Sequence, residues 1–204
     1  MRVIVVGATG TIGSAVVAAL APRHDVVKVG HHSGDFQVDL TSPDSITGLF
    51  RAIGPFDALV SAAGVATFAS LDELVVADYQ LGLSNKLMGQ VNLVRIGRHV
   101  INDRGSFTLT SGVLSQEPMK GSASISMVNA GVEGFVRAAV LELPRGIRIN
   151  VVSPPWVTET LMALKMDPSS GMPAATVAQA YLASVEGTMT GQVIDPRKLT
   201  AKAS

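Results

Sequence analysis

Cysteine is absent from all 204 positions. That excludes disulfides, thiolate metal sites and a cysteine nucleophile, and it fits a reducing compartment, with the cytoplasm as the expected location. No metal site is expected. An excess of charge is lacking as well, since 16 Lys and Arg balance 16 Asp and Glu. No basic run offers a footprint for nucleic acid or an anionic membrane, and neither is expected as a partner. Aromatic residues make up only 4% of the chain, with one Trp and two Tyr, so few side chains can supply a phenolic proton. Mean hydropathy is high at +0.37, yet nowhere do about 18 apolar residues follow one another without a break, as a bilayer span requires. The apolar surplus is expected in a buried sheet and a subunit interface.

What is present is concentrated at the start. Val3 to Val6 form an apolar, β-branched run, the pattern of a strand buried on both faces of a parallel sheet. Glycines follow at 7, 10 and 13, and from Thr11 the period changes so that Ile12, Val16 and Leu20 share one face of a helix. Strand, glycine turn and helix together suit a dinucleotide. Gly7 permits the tight turn, Gly10 lets backbone approach a pyrophosphate, and Gly13 lets helix pack on strand, while free N–H groups at Thr9, Thr11 and Ile12 face the phosphates. The segment is read as structure rather than as a cleaved leader, because its glycines interrupt the apolar run and it carries one basic residue.

A second strand, Val26 to Val29, is followed by Gly30-His31-His32-Ser33-Gly34, with no acid before Asp35. An acid there would bond the adenosine ribose, whereas basic or small polar residues accommodate a 2′-phosphate. The pattern favours NADP(H) over NAD(H), with His31, His32 and Ser33 as phosphate contacts. Phe36 to Leu40 reads as a third strand whose Asp39 is placed to meet the adenine amino group. A capped helix runs from Pro43 to Ile53, and a fourth strand, Asp57 to Val60, ends in Ser61-Ala62-Ala63-Gly64, small enough for a nucleotide to lie close. Downstream, the spacing predicts a long helix over Asp78 to Asn102 with Leu83, Leu87, Val91 and Val94 on one stripe. A fifth strand over Phe107 to Thr110 comes next, then a second long helix over Ser124 to Leu143 burying Val128, Val132, Phe135 and Ala139. A sixth strand is expected over Ile147 to Val152, a helix over Thr176 to Glu186 and a last strand over Gln192 to Ile194. One domain over residues 1–204 is expected. The segment Trp156 to Met172, rich in Leu, Met and Pro, reads as a partly apolar pocket lid.

In this order and spacing, Gly7-Ala8-Thr9-Gly10-Thr11-Ile12-Gly13, Asp39-Leu40, Ser61-Ala62-Ala63-Gly64, the strand end at Ser111 and Arg148-Ile149-Asn150-Val151-Val152-Ser153-Pro154 resemble the short-chain dehydrogenase/reductases over nearly the whole chain. The resemblance implies an α/β fold, a single Rossmann-type, doubly wound parallel sheet of about seven strands in order 3-2-1-4-5-6-7 with helices on both faces. It implies that Leu40, Ala62, Ala63, Gly64, Pro154 and Val157 join the cofactor site, and that the two long helices mediate self-association. It further implies hydride transfer to or from a small-molecule carbonyl or alcohol, with a Tyr moving the proton, a Lys four residues later, a Ser at the end of strand five and an Asn on the preceding helix.

Here the chain departs from the pattern. Ile125 stands in the Tyr place and Asn129 in the Lys place; Lys86 stands in the Asn place, with Asn85 one residue off. Ser111 falls one position early and Gly112 takes the expected site, while Glu159 matches the nicotinamide-binding Thr. Neither Tyr79 nor Tyr181 has a Lys four residues on. Ile125 has no ionisable proton. Two functions therefore compete. One is an NADP(H)-dependent oxidoreductase in which Lys86 serves as acid, Ser111 orients the substrate oxygen and Asn129 bonds a ribose hydroxyl. The other is a catalytically inactive NADP(H)-binding sensor or regulator.

Overall fold

The structure, a computed structural model, describes residues 1–200; the last four residues of the expected domain lie outside them. Seven strands form one parallel sheet in the order β3-β2-β1-β4-β5-β6-β7. They are β1 (Arg2–Val6), β2 (Asp25–Gly30), β3 (Phe36–Gln37), β4 (Phe56–Ser61), β5 (Ile101–Thr110), β6 (Arg148–Val152) and β7 (Val193–Ile194). Such a sheet must be covered on both faces. In β1, Ile4 and Val6 enter one apolar cluster while Val3 and Val5 enter the other. The first cluster is closed by α2 (Pro43–Ile53), α4 (Met88–Gly97) and α5 (Ala123–Ala139), and the second by α1 (Thr11–Leu20) and α7 (Ala174–Glu186). Each fully buried Val, Leu or Ile contributes about 1.5–3 kcal/mol. The result is the Rossmann-type, doubly wound architecture.

The expected first long helix is divided. It consists of α3 (Val76–Leu81), a π-helical segment (Gly82–Leu87) and α4, and it stops at Gly97. The π segment adds a residue to the turn and so rotates α4 about the helix axis. The predicted stripe holds only in part: Val94 is buried as expected, Leu87 and Val91 are half-buried and Leu83 is exposed, while Gly82, Gly89, Gln90, Asn92 and Leu93 turn inward. Gly97 ends the helix between the rings of Phe50 and Phe107, where an added Cβ would lie 2.9 Å from Phe50. The chain then enters β5 at Ile101 rather than at Phe107, with Asn102 bonded to Asp57 on β4 at 2.7 Å.

The remaining differences are smaller. The third strand has two residues rather than five, because the Asp39 carboxylate folds back on Thr41, accepting from its N–H at 2.8 Å and its hydroxyl at 2.7 Å. On α5, Phe135 and Ala139 are only partly buried, and the inward face carries Asn129, Glu133 and Val136. The lid segment contains α6 (Thr158–Ala163) and a 3-10 turn (Pro168–Ser170), and a final helix α8 (Pro196–Thr200) comes after β7. Among the described residues no helix is long and apolar enough to cross a membrane.

Candidate active site

Two clefts open along the carboxyl ends of the strands, where an α/β sheet binds its ligands. The first, about 410 Å³, is lined by Gly7, Thr9, Gly10, Gly30, His31, Leu40, Ala62, Ala63, Gly64 and Asn85 among others. Its floor is built by close backbone approach. Gly7, at φ +82°, donates to the Val29 carbonyl at 2.8 Å, and a Cβ on it would sit 2.6 Å from the Ala62 carbonyl oxygen. Gly13 is packed harder still, since its Cβ would fall 1.9 Å from the carbonyl oxygen of Gly7. Only glycine brings α1 this near the turn. Gly64 (φ +139°) lies on the stem of Lys86, and a Cβ there would be 2.7 Å from the lysine Cγ.

Several residues expected here stand elsewhere. Thr11 lines a separate shallow depression with Ser14 and Glu159. His32 and Ser33 lie outside the cleft lining and are exposed, although the His32 ring meets that of His31 edge to face at 4.1 Å. Asp39 lines neither cleft; its bonds to Thr41 hold its carboxyl below the usual range. Asn85 is also engaged locally, accepting from the Val65 N–H at 2.9 Å.

The second cleft, about 220 Å³, lies on the other side of the glycine turn and brings together Ile12, Lys86, Ser111, Gly112, Ile125, Asn129, Pro154, Trp156, Val157 and Thr160. Residues from five regions separated in sequence thus meet at one cavity. Lys86 reaches it from the π segment, and its ammonium donates to the Ser111 carbonyl at 3.2 Å. Burial disfavours the charged form and lowers its pKa to about 8. Gln90, fully buried, holds the base of this arrangement by donating to the carbonyls of Lys86 and Thr110 and accepting from the Thr110 N–H. Asn129 is 2% exposed; its amide faces the Gly112 carbonyl at 3.4 Å, and its Oδ1 has no protein partner. Gly112 itself is extended, and a Cβ there would lie 2.9 Å from the Asn129 amide nitrogen. The carboxamide fills the space a serine would need.

Ser111 does not present its hydroxyl as expected. That group donates to Glu133 Oε1 at 3.0 Å, deep in the protein, and it is the backbone carbonyl of Ser111 that meets Lys86. Glu133, 2% exposed, also accepts from Ser115 (2.6 Å), Ser153 (3.3 Å), Gln116 (3.3 Å) and Arg137 (3.2 Å). One carboxylate thereby ties the ends of β5 and β6 to α5. The sequence reading missed it, although an acid beside the buried Val132 with an Arg four residues on was a legible cue. Glu159 likewise serves structure, accepting from the Ala174 N–H at the start of α7. Over the cavity, Phe68 meets Trp156 edge to face at 5.8 Å.

A family model described as enoyl-(acyl carrier protein) reductase matches residues 2–193. The chain belongs to the short-chain dehydrogenase/reductase family. It is 30% identical over 178 residues to acetoacetyl-CoA reductase from Allochromatium vinosum, covering 76% of this chain and 72% of that protein. Among solved structures of the fold, the protein lin1944 from Listeria innocua superposes with a TM-score of 0.92 at 43% identity, covering 96% and 98% of the two chains. A small-chain dehydrogenase in complex with NADPH superposes with a TM-score of 0.84 at 26% identity, covering 96% and 95%. As a short-chain dehydrogenase/reductase, the chain is an oxidoreductase by family and has the fold of nicotinamide-dependent enzymes.

Proposed function

We propose that this protein is an NADP(H)-dependent carbonyl reductase or alcohol dehydrogenase in which Lys86, rather than a tyrosine, moves the proton. The observation that carries the reading is the placement of the Lys86 ammonium in the second cleft, beside the backbone of Ser111. The residues present fit the dinucleotide: Gly7 and Gly13 let the turn, α1 and the end of β4 close on one another where a Cβ would strike backbone, leaving the turn and helix start open to a phosphate, and the orphaned Asn129 Oδ1 lacks a donor such as a ribose hydroxyl would provide. NADP(H), when bound, supplies or accepts the hydride. His31 in the first cleft, with no acid among its lining residues, supports the phosphorylated form of the cofactor. Lys86 donates its proton to the carbonyl oxygen as that oxygen gains charge, and a pKa near 8 suits it to the task at neutral pH. Ile125 contributes shape and dryness only.

The turned-away Ser111 hydroxyl and the isoleucine at 125 favour a second reading, a dinucleotide sensor without turnover. Titration with NADPH and NADH, followed by a carbonyl screen with wild type and Lys86→Ala, separates the two. Tight NADPH binding with reduction that falls in the variant supports the enzyme. NADPH binding with no reduction of any carbonyl, and no effect of the variant, supports the sensor. The proposal also takes the chain to self-associate through α4 and α5, whose outer groove carries Val91, Val94, Phe135 and Leu143 between Arg95 and Glu142.

A further inference from the structure

We infer that the second cleft selects carbonyl compounds bearing a carboxylate next to the carbonyl, that is, 2-oxo acids and their 2-hydroxy counterparts. The inference rests on the reading of Lys86 as proton donor and names its substrate class.

Lys86 is the one charged side chain among the described residues lining this cavity. Its ammonium has three N–H donors, and the protein engages one of them, through the Ser111 carbonyl. A cation taken out of water with two donors unused is costly, and a neutral ketone offers it a single weak acceptor. Adjacent carbonyl and carboxylate oxygens offer two acceptors on one side of the molecule, together with the missing charge, so one ammonium can hold both. The contact that binds the ketone oxygen is then the one that delivers its proton.

The remaining walls agree. Ile12, Val113, Leu114, Ile125, Pro155 and Trp156 are uncharged and largely apolar, so they exclude water and leave the ammonium as the dominant anchor. Among the described residues no carboxylate lines the cavity to repel the ligand or to neutralise Lys86 in its absence. Glu159, the nearest acid in sequence, turns both oxygens to the Ala174 N–H. At about 220 Å³ the cavity also limits size, favouring short side chains on the acid.

Oxamate, an unreactive isostere of a 2-oxo acid, tests this without turnover. The NADPH-loaded protein is titrated with oxamate, propanamide and butan-2-one, and binding is read by melting temperature and by emission of Trp156, the sole tryptophan, which borders the cavity. Oxamate is expected to raise the melting temperature by about 2–4 °C and to change Trp156 emission, while the two neutral compounds do neither. Lys86→Gln should weaken oxamate by about tenfold or more, and Lys86→Arg should retain part of the affinity. NADPH binding without any oxamate response overturns the inference and leaves the cofactor reading standing, as does equal oxamate affinity in wild type and Lys86→Gln. Failure of NADPH itself to bind overturns both.

Discussion

Lys86 carries a conflict between stability and use. In the unfolded chain its amine has an ordinary pKa of 10.5; in the fold, burial lowers it to about 8. A lowered pKa on a base means that the unfolded state holds the proton more tightly, so below about pH 8 the lysine destabilises the fold, and the penalty fades as pH rises from 8 to 10.5. Lys86→Met should therefore raise stability at pH 7 by about 1–3 kcal/mol, with the gain vanishing near pH 10.5, as urea unfolding at a series of pH values would show. In the same variant, carbonyl reduction should fall by at least about a hundredfold. If Lys86 is the acid, as proposed, reduction by the wild type should decline as pH rises through about 8 and alcohol oxidation should rise over the same interval. Glu133 sets a second prediction. Replacing it with Leu strands the Ser153 hydroxyl, leaves Ser111 only a long contact to the Val152 carbonyl and Ser115 only the Gly112 carbonyl, and should cost about 3 kcal/mol, whereas Gln, which keeps an acceptor, should cost roughly half as much. Chemical denaturation of both variants decides it.

The π-helical segment is what delivers Lys86 to the cavity. Successive residues of a helix are turned by about 100°, so removing one residue from the widened turn swings Lys86 off its present bearing. Deletion of Ser84, an exposed residue within that segment, should leave NADPH binding at the glycine turn within a few-fold of wild type and abolish carbonyl reduction; calorimetric titration and a rate assay measure the two separately. The segment also marks where sequence pattern stops being informative. Strand β1, the glycine turn and α1 were legible because each carries its own local signal, a β-branched run, three glycines and a period of four. The residues from Gly82 to Gly97 carry a regular apolar period that is true of the segment but not of its burial. An inserted residue moves the face without altering the spacing, and nothing in a single sequence shows where the hydrogen bonds skip. The same limit hid the start of β5, where Ile101 and Asn102 extend a helical pattern yet pair with Phe56 and bond Asp57. Tertiary contact overrode local period.

For the whole molecule, strand order was legible through the family resemblance carried by the glycine turn and the strand-end motifs, and the observed sheet follows it. The second cleft was less legible, since its walls come from five separate regions of the chain and the roles of Ser111, Asn129 and Glu133 depend on which way each side chain turns. The groove between α4 and the end of α5 is lined by half-buried Val91 and Phe135 together with Arg95, Arg98 and Glu142. The proposed self-association predicts that the wild type sediments as an oligomer and Phe135→Glu as a monomer with its far-ultraviolet spectrum preserved, and Tyr181→Phe should cost about 1 kcal/mol at the far side of the sheet by removing the hydroxyl bonded to Thr110.

The close approach of Gly112 and Asn129 couples the two positions. A Cβ at 112 would lie 2.9 Å from the Asn129 amide nitrogen, the free end of a side chain that borders the second cleft, so Gly112→Ser displaces the carboxamide rather than the backbone. The effects of substitutions at 112 and 129 should therefore not add, and whatever Asn129 does for a bound ligand is set in part by the absence of a side chain at 112.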